Sequence, residues 1–153
     1  MTLKLSTGLR DKLLAQSSLK ALLEAGDGGC IRIFTGPVPN TADAAETGTL
    51  LCVITKGSAA SGTPGSTLTF EATAAGGVLA KDVDVWSGVN VATGQAAYYR
   101  HVATGDTGAA STTEVRMQGA VAVLGAELNL SSVALVNGAT QTINSYVVAA
   151  PTL

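Results

Sequence analysis

The chain is short of charge and short of aromatic rings. Charged residues are 13% of its 153 residues and aromatics 4%, with one histidine, two cysteines and four prolines. Each scarcity excludes something. Nine Lys and Arg against eleven Asp and Glu leave a net charge of −2, so no basic excess exists to neutralise a phosphate backbone, and nucleic acid is not expected as a partner. No apolar run approaches the roughly 18–20 residues of a membrane span, and a membrane is not expected either. Met1 to Lys20 mixes Lys4, Arg10, Asp11 and Lys12 with leucines, which does not read as a signal peptide. Disorder needs low hydrophobicity and high charge, whereas 46% of this chain is hydrophobic. What is present is Val, Leu, Ile and Ala for a core, Thr, Ser and Asn for a surface, and 18 glycines. That balance suits a structural or binding protein better than an enzyme.

Two short helices are expected in the first 26 residues. Leu9, Leu13 and Leu14 recur at helical spacing behind Ser6 or Thr7 as N-cap. Leu19, Leu22 and Leu23 follow Ser17 or Ser18, and Gly26 with Asp27-Gly28-Gly29 stops the run. Neither helix is long enough to stand alone in water, so both must pack on something. Leu5 to Leu23 is read either as an arm that docks on a neighbour or as a cover for one end of its own domain.

Beyond Gly29 the period changes to two. Strands are expected at Cys30–Thr35, Leu50–Thr55, Leu68–Phe70, Leu79–Ser87, Gln95–Ala103, Glu114–Met117, Ala120–Leu124, Ser132–Val136 and Thr142–Val148. In Leu79–Ser87 the alternation puts Val83 and Val85 on the core face and Asp82, Asp84 and Trp86 on the other. Helices do not alternate with strands, which argues against a parallel α/β sheet. The spacing of the turn signals points to an all-β fold, an antiparallel, jelly-roll-like β-sandwich over 27–153, preceded by a helical N-terminal arm over 1–26.

Chemistry is hard to assemble from these residues. His101 has no visible triad partner, and no Gly-x-Ser-x-Gly elbow accompanies the serines. Cys30 and Cys52, on separate strands, read as reduced buried thiols. One histidine and two separated cysteines do not make a zinc site. Asp82 and Asp84 form a carboxylate pair on one strand face, the pattern of a hard-cation site or of a solvated strand. Asp106 sits in a Gly-Asp-Thr-Gly loop without a calcium-loop pattern. No catalytic residue, cofactor site or metal site is therefore assigned. Trp86 is either a contact residue on the outer face or a core residue under a second layer. A surface this poor in charge favours life in an assembly. The candidate interface residues are Leu9, Leu13, Trp86, Tyr98, Tyr99 and Arg100.

Three stretches together carry a resemblance. They are Ser6-Thr7-Gly8-Leu9-Arg10 with Leu13-Leu14; Ile31 to Pro39 with Ala42-Asp43-Ala44-Ala45 and Gly48-Thr49-Leu50-Leu51; and Trp86-Ser87-Gly88-Val89 leading to Gly94 to Arg100. Across roughly residues 6–102 the chain resembles small virion structural proteins of tailed bacteriophages, and is similar to capsid decoration (cement) proteins in size, strand content and surface chemistry. The resemblance implies a non-enzymatic protein that binds between major capsid subunits and stabilises the shell. It implies a dimer or trimer on the capsid surface of a virion assembled in the bacterial cytoplasm. A tail or baseplate ring or adaptor is the alternative placement. A carbohydrate-binding module, with Trp86, Tyr98 and Tyr99 grouped on a concave face, and a small hydrolase are the remaining classes.

Overall fold

The computed structural model describes residues 2–150. A short strand, β1 (Lys4–Leu5), leads into α1 (Thr7–Ala15) and α2 (Leu19–Leu23). Serine side chains start both helices: Ser6 Oγ accepts from Leu9 N and Ser18 Oγ from Ala21 N. Ser6 also ties the helix to distant backbone, since its hydroxyl accepts from Arg116 N at 3.1 Å and donates to Glu114 O at 2.7 Å. Gly8 is needed at this junction because a Cβ there would lie 2.4 Å from the Thr113 carbonyl. Leu9 and Leu23 are fully buried in the same core as Ile31, Ile33 and Ile54. Of the two expected fates for the N-terminal segment, the structure has it packing on its own sheet.

The strands that follow are β2 (Cys30–Phe34), β3 (Leu50–Lys56), β4 (Val78–Ala80), β5 (Trp86–Val89), β6 (Gly94–Gln95) and β7 (Tyr98–Val102). The last five are β8 (Arg116–Ala122), β9 (Leu128–Asn129), β10 (Ala134–Leu135), β11 (Thr140–Ile143) and β12 (Val147–Ala149). Eight of them form one sheet in the order β1-β8-β7-β2-β3-β5-β11, with β9 added in parallel to β8; β10–β6 and β12–β4 are two-stranded ribbons. Every pairing except β8–β9 is antiparallel. The fold is mostly β, with antiparallel sheets and two short helices.

The alternation expected over Leu79–Ser87 fails at its middle. Asp84 N donates to Asp82 Oδ1 at 2.9 Å, and this local bend separates β4 from β5. Val83 is therefore fully exposed and Val85 largely so, while Trp86 points inward and is fully buried. The expected faces are reversed because the period-two argument holds only while the chain stays extended. Leu68–Phe70 contributes only an isolated bridge from Phe70 to Lys81. The expected strands at 114–117 and 120–124 merge into β8, which turns no corner at Gly119. At Gly88 a Cβ would sit 2.0 Å from the Val53 carbonyl oxygen, so β5 lies against β3 at a distance only glycine permits.

Candidate functional site

Residues paired across neighbouring strands share a sheet face. In the register of β2, β7 and β8, Arg32 lies opposite Arg100, and Arg100 opposite Gln118. Arg116 projects from the same face two residues earlier in β8. Three cations thus stand on one face of the central strands, roofed by the connectors after β2 and after β7. The roof segments are joined by Glu46 N to Gly108 O and Ser111 N to Asp43 O, each 2.8 Å.

Two carboxylates answer these cations. Asp106 takes both Arg116 Nε and Nη2, at 2.6 and 2.7 Å, with both side chains almost wholly buried. Burial alone would raise the Asp106 carboxyl, but hydrogen bonds from Arg116 and Gly108 N, with the charges of Arg116 and Arg32, hold it below the usual range. Burial works against the Arg32 guanidinium too, and the Glu46 carboxylate at 2.9 Å outweighs it. Among the described residues, no carboxylate pairs with Arg100. Its Nε donates to Gln118 Oε1 and its Nη2 to Thr41 O, Nη1 is buried without a partner, and burial pulls its pKa down. The chain spends these arginines on holding its own loops.

The opposite face is aromatic. His101, set between Ile31 and Met117 in register, stacks on Phe70 with centroids 5.7 Å apart, and Trp86 and Tyr146 close around it. Neither ring nitrogen has a hydrogen-bond partner, and burial pushes its pKa down to about 3. The imidazole is neutral and sealed among these rings. Asp82 and Asp84 hold Thr69, and Asp84 also pairs with Lys56, so the two carboxylates brace the bend before β5. Among the described residues, no group of three or more His, Cys, Asp and Glu is placed to hold a metal ion.

Cys30 and Cys52 are free and buried. Cys52 lies opposite Ile33 in the register, three positions along β2 from Cys30, so the two thiols are on opposite faces of the sheet. Burial raises both, Cys52 to about 11. Native protein at pH 8 is expected to resist a thiol reagent that labels both cysteines in denaturant. Mass spectrometry after a brief pulse reads the result, and rapid labelling of the folded chain would contradict the burial.

Of the six expected interface residues, Leu9, Trp86, Tyr98, Tyr99 and Arg100 are buried within the chain. They are corrected to core and loop-holding roles, because a side chain already covered by its own fold has nothing left to offer a partner. Tyr98 and Tyr99 alternate to opposite faces of β7. Tyr98 stacks on Phe34 and bonds Thr47, whereas Tyr99 meets the Tyr146 hydroxyl. The concave trio of Trp86, Tyr98 and Tyr99 expected for a sugar site does not form. Leu13 is different. With Leu3, Leu5, Leu19, Leu79 and Val148 it lines an open apolar groove of about 830 Å³. Elsewhere the surface exposes Leu14 and Leu124, each 88% exposed, and, separately along the chain, Val83.

Sequence reasoning missed the arginine layer. The available signal was three arginines in extended segments of a chain with so few charges. In comparisons with known proteins, no family model, curated protein or solved structure matches the chain. No helix among the described residues is long and apolar enough to cross a membrane.

Proposed function

We propose that this chain is a structural protein of a tailed-phage virion, a decoration protein that binds between major capsid subunits as a homo-oligomer and clamps them together. The observation that carries the reading is what the folded chain leaves in the open. That is the apolar groove beside Leu13 and the bare aliphatic side chains of Leu14, Val83 and Leu124. Contiguous apolar surface such as this groove, more than single exposed side chains, is the kind that another protein covers. Asp106, Arg100, Arg116 and His101 are buried. Asp106 and the two arginines are engaged with the chain's own loops and strands, and the His101 ring is sealed without a hydrogen-bond partner. Binding only the assembled lattice would stabilise it by mass action, with no reaction required.

The finer architecture belongs to the same proposal. A jelly-roll-like sandwich is supported by β7, buried along its whole length on both faces.

Cryo-electron microscopy of the virion, with mass spectrometry to identify this chain in the particle, tests the reading. Regular density between capsomers on the outer shell is the expected result. Density confined to the tail would transfer the protein to a ring or adaptor role, and absence from the particle would end the virion reading.

A further inference from the structure

Two tracts of the sequence contain no Asp, Glu, Lys, Arg or His: Val85 to Tyr99, and everything from Leu128 onward. The fold brings them together. β5 pairs with β11, placing Val89 opposite Thr140 and Ser87 opposite Thr142, and β6 pairs with β10. Between the strands, Asn90 N donates to Ala139 O and Gly138 N to Asn90 O, both at 2.9 Å. The result is one side of the molecule without a formal charge, on which Val89, Val91 and Val136 are exposed. The nearest ion pair, Lys56 with Asp84, starts from β3, two strands in from the edge.

β11 is the last strand of the large sheet, and among the described residues it pairs only with β5. Proteins that stay monomeric guard such an edge with lysine, proline, a bulge or a covering segment, because its free N–H and C=O groups are a template for another strand. The other end of this sheet is guarded in that way. There Lys4 of β1 reaches the Pro39 and Asn40 carbonyls, and the Glu127 carboxylate accepts from Ala120 N. Thr140-Gln141-Thr142-Ile143 has no lysine, proline or bulge.

We propose that the open edge of β11 pairs with β11 of a second copy of this chain. Another strand matches the edge's hydrogen-bonding groups, and the lack of charge leaves a charged partner nothing to pair with. A second copy brings the same uncharged, threonine-bearing edge, and antiparallel pairing about a two-fold axis makes the contact self-complementary. Four strand residues bury far less than the roughly 800 Å² per partner of a stable interface, so the exposed valines beside the edge are part of the contact. The inference supplies the homo-oligomer in the proposed function with its contact, yet it is tested on the isolated protein.

Sedimentation velocity on the purified full chain over a range of micromolar concentrations is the experiment, with Thr142→Lys, Val89→Lys and, as a surface control, Val83→Lys. Circular dichroism checks that each variant folds, and all three sites are exposed. Wild type and Val83→Lys are expected to self-associate alike. Each edge lysine should weaken association at least about tenfold, because the two-fold contact sets like charges against each other. A wild type that is monomeric throughout, or an oligomer that persists in both edge variants, overturns the proposal. An edge-paired dimer absent from virions would sink the virion reading and leave this one standing.

Discussion

Asp106→Ala is expected to destabilise the protein by about 3–5 kcal/mol, the cost of stranding one member of a buried ion pair. The reason is the Arg116 guanidinium, which is 1% exposed and, among the described residues, has no other carboxylate within salt-bridge distance. Its remaining bonds, to Ala42 O at 3.3 Å and Ala109 O at 2.7 Å, come from the same roof that Asp106 helps to hold. Denaturant unfolding followed by the fluorescence of the single tryptophan, Trp86, reports the loss. Adding Arg116→Met should recover part of it, since a well-packed apolar side chain carries no desolvation cost. A single-variant loss under about 1 kcal/mol would show that the pair is not the anchor of the loops that its geometry indicates.

The second large effect is acid sensitivity through His101. Its pKa falls from the ordinary 6.5 to about 3 because the ring is buried among Phe70, Trp86 and Tyr146. The unfolded chain therefore takes up a proton that the folded chain refuses. The His101 contribution to stability is flat above pH 6.5 and declines as the pH falls from there towards 3, by on the order of 4 kcal/mol across the window. Asp106 and Asp43, both held low, contribute stability that is lost only below about pH 4. The two windows are separable. His101→Leu, close in volume and free of unpartnered nitrogens, should match or exceed wild-type stability at pH 7 and remove the decline between pH 6.5 and 4. Parallel pH profiles for the two proteins would count against His101 as the acid-sensitive group.

The mostly β character was legible in the sequence because the period-two signal is strong wherever the chain stays extended, as in Cys30–Phe34 and Leu50–Lys56. The serine caps were legible for a local reason too, since a cap is written within three residues of its helix. Trp86 was not legible. Its direction depends on one side chain-to-backbone bond at Asp82 that ends the strand four residues earlier, and alternation carries no information across such a bend. Tyr98, Tyr99 and Arg100 failed as surface residues for a different reason. β7 is covered on both faces, by the aromatic core on one side and the roof loops on the other. Which strand becomes central is set by long-range pairing that no local pattern records. The uncharged side of the molecule lay open in the sequence as two tracts without a charge, and their meaning emerged only when β5 and β11 were found together.

The junction at Ser6 also sets a timetable for synthesis. The hydroxyl that starts α1 and the strand that precedes it both depend on β8, whose Arg116 N lies 110 residues further along the chain. At ordinary translation rates the leucine-bearing segment from Leu3 to Leu23 waits roughly 5–20 s for the partner that will cover it. During that interval an apolar, helix-prone stretch hangs from the ribosome with no core to join. Soluble yield in a strain depleted of chaperones that hold nascent leucine-rich segments is expected to fall before the stability of the finished fold becomes limiting.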